Sequence, residues 1–153
     1  MNSDNHSHIE IENEIRDKAE HMISGNKKNM GDALGIEFKK FSRTEMIAEM
    51  PVNENTVQPF GILHGGASVA LAETLASIGA WLNLTDDSKT AVGLEINANH
   101  IKAVRIGQKV KGIAKPIHRG AQTQVWETRI ETESGKLVSI SRCTLAIIQN
   151  KRA

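Results

Sequence analysis

Only one cysteine, Cys143, occurs in the 153 residues, so no internal disulfide can form and a reducing, cytoplasmic setting is expected. Aromatic residues make up 3% of the chain, so the wall of any pocket must be built largely from aliphatic side chains. No charge of one sign dominates. The formal net charge is +1, which gives no electrostatic case for a nucleic-acid partner. No long hydrophobic run is present either. The longest apolar stretch, Val69 to Leu84, is broken by Glu73, Thr74, Ser77 and Asn83, too polar and too short for a membrane span. The first twelve residues are polar and acidic, which speaks against a signal peptide. What remains is ordinary for one soluble domain, with 39% apolar and 24% charged residues.

Residues 1–25 are expected to form a leader and a short helix, and residues 26–153 the main domain. Residues 1–10 read as an irregular leader. Its His6-Ser7-His8 is too sparse to argue for a metal, and none is expected. Ile11, Ile15, Ala19 and Met22 recur at helical spacing, and Gly25-Asn26 ends that helix. A loop carrying Gly31 and Gly35 follows. Strand signals run through Ile36–Ser42 and Arg43–Val52, with Pro51 at a strand end, and Asn53–Pro59 reads as a loop. One long apolar helix spans about 66–84. Strands follow at about 90–106, 108–118, 122–133 and 136–148, the last two joined by the turn Glu133-Ser134-Gly135-Lys136. Trp126, Thr128 and Ile130 alternate with Glu127, Arg129 and Glu131, a half-buried strand. The simplest architecture is α+β, an antiparallel sheet with one helix on its concave face. The helix is apolar nearly all round, so protein should surround it, and its Ala and Gly residues permit close backbone approach.

The chemistry sits where loop meets helix, in Gln58-Pro-Phe-Gly-Ile-Leu-His64-Gly-Gly-Ala-Ser-Val-Ala-Leu-Ala-Glu73. A helix start offers free N–H groups, here at Gly65, Gly66 and Ala67, suited to a carbonyl oxygen that gains charge during acyl transfer. Gln58 and His64 add polar side chains, although His64 can equally well be a cap. Glu73 supplies a nucleophile or a general base, or else is a buried helix Glu paired with a backbone or His partner, or a boundary residue touching water. Ser77, one turn on, shares its face. Cys143 has no evident base and reads as filler. Spacing adds a constraint. Gly65 and Glu73 are eight residues apart, about 12 Å along a helix. Both must stand about 3 Å from one carbonyl. A single chain can hardly supply both, whereas two chains with antiparallel helices can. The spacing therefore predicts a two-fold dimer with shared sites.

The same segment closely resembles the signature of the hotdog-fold acyl-CoA thioesterases, in the phenylacetyl-CoA branch. That branch includes 1,4-dihydroxy-2-naphthoyl-CoA thioesterase and the proofreading thioesterase of enterobactin synthesis. The resemblance continues through Val92–His100, Lys115–His118 and Gln124–Trp126. It implies a curved antiparallel sheet wrapped around the helix at about 66–84, with dimers that pair into a tetramer. It implies that Glu73 is the catalytic carboxylate and Gly65 the N–H that polarises the thioester carbonyl. Gln58 and His64 would position the thioester, and Ser77 would assist Glu73. The CoA portion of the substrate would meet Gly93, His100, Lys102, Ala103, His118, Arg119 and Gly120.

The expected activity is hydrolysis of acyl-CoA to acid and CoA, with aromatic acyl groups such as 1,4-dihydroxy-2-naphthoyl favoured and no cofactor or metal. Two alternatives stay open. One is a proofreading thioesterase acting on a carrier protein, docked through Lys102, Arg105, Lys109, Lys111 and Lys115. The other is a non-catalytic acyl-CoA-binding module, which Glu73 argues against.

Overall fold

The computed structural model describes residues 9–25 and 28–150. The His6-Ser7-His8 pattern lies outside the described residues. Seven strands, β1 (Glu10–Ile11), β2 (Glu37–Phe41), β3 (Met46–Pro51), β4 (Lys89–His100), β5 (Lys109–Arg119), β6 (Thr123–Thr132) and β7 (Leu137–Gln149), form one open sheet in the order β1-β2-β3-β5-β6-β7-β4. All pairings are antiparallel except the short β1–β2 contact. Among the described residues three α-helices join them, α1 (Arg16–Ser24), α2 (Met30–Leu34) and α3 (Gly65–Leu82), with a 3-10 turn, Asn13–Ile15, leading into α1. No described helix is long and apolar enough to cross a membrane.

α3 lies against β3, β4, β5, β6 and β7, and the core forms between them. Leu71, Leu75, Ala76, Gly79 and Ala80 are buried on the helix, opposite Met46, Val110, Ala114, Trp126, Ile130 and Leu145 of the sheet. The small residues permit the close packing that the sequence predicts. At Gly79 an added Cβ would stand 2.6 Å from the Trp126 ring. β6 alternates as expected, with Gln124, Trp126, Thr128 and Ile130 buried. The polar groups brought inward are satisfied, since Trp126 Nε1 donates to Gln124 Oε1 (3.0 Å), Gln124 Nε2 to the Ala80 carbonyl (3.3 Å) and Thr128 Oγ1 to the Ala72 carbonyl (3.5 Å).

Four expectations change. α3 ends at Leu82 because Asn83 caps it, its Nδ2 donating to the carbonyls of Gly79 (2.8 Å) and Arg43 (3.0 Å). The loop around Gly31 is a short helix, α2, held by a capping box in which Asn29 Oδ1 accepts from Gly31 N–H and Asp32 Oδ2 accepts from Asn29 N–H. Glu10, expected in the leader, and Ile11, expected to open the first helix, instead form a strand that pairs with β2. Finally, β4 stops at His100, where the Ile101 N–H turns to the Val138 carbonyl (2.8 Å).

Candidate active site

The loop before α3 is a closed hairpin. Val57 and Leu63 bridge, Gln58 N–H donates to the Ile62 carbonyl (2.9 Å), and Gly61 turns the chain at φ +75°. Gln58 Oε1 accepts from Phe60 N–H at 2.6 Å, which fixes the amide within the loop. His64 is the N-cap of α3, and its Nδ1 accepts from Gly66 N–H at 2.8 Å. Its carbonyl accepts from Ala67 N–H (3.0 Å) and Ser68 N–H (3.2 Å). Three donors expected at this helix start thus reduce to one. Gly66 and Ala67 are occupied, and only the Gly65 N–H has no acceptor among the described residues. That N–H also sits at the positive end of the helix.

Gly65 has no side chain because His100 occupies that space, a Cβ there standing 2.8 Å from His100 Nε2. His100 is thereby placed at the same end as Gln58 and His64, with Lys102 and Ala103 following it in the chain.

Two turns further along α3 stands Glu73. It is exposed in the single chain, on a stripe with the partly exposed Val69, Ala70 and Ser77. The expectation of a helix enclosed on every side therefore fails along this stripe. The Glu73 carboxylate forms no ion pair or hydrogen bond among the described residues, which removes the reading of a helix Glu with its own partner. The Ser77 hydroxyl likewise makes no hydrogen bond among them. The carboxylate leans on β4, where a Cβ at Gly93 would stand 2.8 Å from Glu73 Oε1. A bulge between Gly93 and Glu95 shifts the alternation, so that Gly93 and Ile96 both face α3. Cys143, opposite Ile96, feels this carboxylate. Burial first, then the charges of Glu73 and Glu95, push its thiol up to about 11.

The remaining predicted residues lie elsewhere. Arg119 Nη1 donates to Asn83 Oδ1 (2.9 Å) and to the Arg43 carbonyl (3.3 Å), at the C-terminal end of α3. The imidazole of His118 folds over Gly120, where a Cβ would come within 2.5 Å of Nε2. A cavity of about 400 Å³ opens there, lined by Arg43, Asn83, Lys89, Arg119 and Gly120 among others. One chain therefore brings together Gln58, His64, Gly65 and His100 at one end of α3 and Glu73 with Gly93 at its middle. It holds His118, Arg119 and Gly120 at the far end. Gly65 and Glu73 remain about 12 Å apart along the axis. Thr74 and Ile78, beside the stripe that carries Glu73, were not singled out as site residues from the sequence. They differ from ordinary core positions only in what packs over them.

Comparison with known proteins bears on this arrangement. A family model described as the thioesterase superfamily matches residues 60–139. The chain is 47% identical over 120 residues to 1,4-dihydroxy-2-naphthoyl-CoA hydrolase of Escherichia coli, covering 78% of this chain and 87% of that protein. It is 47% identical over 115 residues to the proofreading thioesterase EntH of Cronobacter turicensis, covering 75% of this chain and 82% of the other. The crystal structure of thioesterase HI1161 from Haemophilus influenzae superimposes with a TM-score of 0.78 at 45% identity, over 88% of this chain and 92% of that one.

Proposed function

The chain belongs to the thioesterase superfamily, with the hotdog arrangement of sheet and helix, and from that premise we propose that it hydrolyses acyl-CoA thioesters to a carboxylic acid and CoA. Aromatic acyl groups are the proposed substrates, 1,4-dihydroxy-2-naphthoyl-CoA first among them. The observation that carries the reading is the pairing of one unoccupied N–H, at Gly65, with one unpartnered carboxylate, at Glu73.

In the proposed reaction the Gly65 N–H of one copy polarises the thioester carbonyl. Glu73 of a second copy takes a proton from water as the water oxygen bonds to the carbonyl carbon. The C–S bond then breaks, and the thiolate of CoA takes up the proton. In the nucleophilic variant Glu73 forms the new C–O bond itself as the C–S bond breaks and CoA leaves as thiolate. Water then cleaves the anhydride to return the Glu73 carboxylate, its protons going to the released acid and to the thiolate. Gln58 and His64 position the thioester, and Ser77 supports Glu73. The CoA portion is assigned to Gly93, His100, Lys102, Ala103, His118, Arg119 and Gly120. Because the length of α3 separates His100, Lys102 and Ala103 from His118, Arg119 and Gly120, one CoA would touch both groups by drawing them from different copies. A homodimer with two shared sites, and a tetramer of such dimers, is the proposed assembly. The reducing cytoplasm is the proposed setting, on the single cysteine.

The carrier-protein reading has less support. Of its five cations, Lys115 is engaged by Glu45 (3.1 Å) and Lys109 by Glu49 (4.0 Å), which weakens any basic patch. Comparing turnover of one acyl group on CoA and on a carrier protein separates the two. Removing the Glu73 carboxylate tests the main proposal. Glu73→Ala or Glu73→Gln should lower kcat at least about 100-fold, in the range for loss of a general base or nucleophile. Release of free thiol from acyl-CoA is the readout, with the oligomer checked by sedimentation. Turnover near wild type in either variant defeats the mechanism.

A further inference from the structure

The N-terminal segment, well ahead of residue 60, contributes to a second recess. A cavity of about 630 Å³ lies between α1, α2, β2 and α3, within the range of about 300–1,000 Å³ typical of small-ligand pockets. Its apolar wall includes Met22 and Ile23 from α1, Ile36 and Phe38 at β2 and Ile78 from α3. Thr74 of α3 stands beside them, and the polar Asp32, Glu37 and Lys39 also line the recess. Phe38 is its one aromatic ring, backed by Phe41 at a centroid distance of 4.9 Å.

The position of this recess relative to Glu73 is what matters. Thr74 follows Glu73 and Ile78 follows Ser77, and one residue is about 100° around a helix. The cavity therefore borders the stripe that carries Glu73 and Ser77. On its other side the stripe is bounded by Gly93 of β4. A thioester carbonyl held at Glu73 thus has an apolar recess beside it, on the α1 side. The α1 wall is fixed in place. Ile15 and Ala19 are buried in the core. Lys18 Nζ donates to the Leu84 carbonyl (2.7 Å), pairs with Asp87 (3.4 Å) and lies 5.3 Å from the centre of a Trp81 ring.

We infer that this cavity receives the apolar body of the acyl group, and that Met22 and Ile23 of α1 set the size the enzyme accepts. Groups larger than a single ring or a short chain gain most from it. The inference rests on the thioesterase reading above and assigns its selectivity to a segment ahead of residues 60–139, which the family model matches.

The test compares kcat/KM for acetyl-CoA and 2-naphthoyl-CoA in the full-length protein. Ile23→Trp, which fills the recess, should lower the naphthoyl-to-acetyl ratio about 10-fold or more, the scale on which apolar pockets discriminate. Ile23→Ala, which cannot clash, should raise the ratio of 2-anthroyl-CoA to 2-naphthoyl-CoA. Ratios unchanged in both variants overturn the inference, even if absolute rates fall. Should the wild type hydrolyse none of these esters, the hydrolase reading fails by itself. Calorimetric binding of 2-naphthoate then decides the cavity: weaker binding in Ile23→Trp upholds it, and unchanged binding overturns it.

Discussion

A Cβ on Gly93 would press on the Glu73 carboxylate at 2.8 Å, so the residue that matters at this position is the one across from it. Gly93 does not adopt positive φ, so alanine is tolerated by the backbone, and the side chain its Cβ meets within 4 Å is that of Glu73. Gly93→Ala should lower kcat about 10- to 100-fold by displacing the carboxylate, because small misplacements of a catalytic group are costly. The thermal midpoint should stay close to wild type. An unchanged kcat would show that the contact with Gly93 does not hold the carboxylate in its working position. Cys143 gives a pH prediction at the same scale. Its thiol, held up to about 11 by burial and by Glu73 and Glu95, is protonated at neutral pH and resists labelling by disulfide reagents until the protein unfolds. The folded pKa exceeds the unfolded one, so the folded state binds more protons between them. The stabilisation is complete below the ordinary thiol value near 9.0 and is lost as pH rises toward about 11. Denaturant melts across that window should show the decline, and Cys143→Ala should flatten it. A wild-type slope no steeper than that of Cys143→Ala would contradict the assignment.

Among the elements, α3 and β6 were legible because local pattern and final packing agree. The run of Ala and Gly along α3 announces close contact, and the contact is Trp126 against Gly79. This makes Gly79→Ala informative. Alanine gains about 1 kcal/mol over glycine in a helix interior. Here its Cβ would lie 2.6 Å from the buried Trp126 ring and 3.0 Å from Met46 Cγ, and overpacking costs about 1–3 kcal/mol. The packing term should win, lowering the thermal midpoint. A midpoint at or above wild type would mean the ring can move aside. α2 was missed because its five residues form no apolar stripe, and the Asn29–Asp32 capping box holds it instead. That spacing was the available signal. The end of β4 was missed because a distant carbonyl, that of Val138, draws the chain away. At the site, the positions of Glu73 and Gly65 were legible as a spacing. The occupancy of Gly66 N–H was not, since it depends on how the His64 ring turns at the cap.

For the whole molecule, the two sheet edges differ in a way that sequence order conceals. β4 precedes β5 in the chain yet lies outermost, beyond β7, a non-local pairing that local pattern cannot specify. The opposite edge, β1, is two residues long, and Glu10 in it pairs with Lys40 at 3.2 Å. A short, charged edge discourages further pairing, whereas the twelve-residue β4 offers a long row of backbone groups with Leu94 63% exposed. The same strand holds Gly93 beside Glu73 and His100 beside Gly65. A second copy paired along β4 would thus bring its own helix stripe to the one left open here, and the gap of about 12 Å would be closed between chains. Subunit mixing tests this. Gly65→Pro removes an N–H that meets no acceptor among the described residues, at a first helical position that suits proline after His64 at ψ 132°, and its ring also displaces His100 from the space it fills. Alone, Gly65→Pro and Glu73→Ala should each be nearly inactive. After denaturation and refolding together in equal amounts, mixed dimers each regain one intact site from two partners, and activity should return to about a quarter of wild type for random pairing. Activity no higher than that of either variant, with exchange proven by mass spectrometry, would place the whole site within one chain.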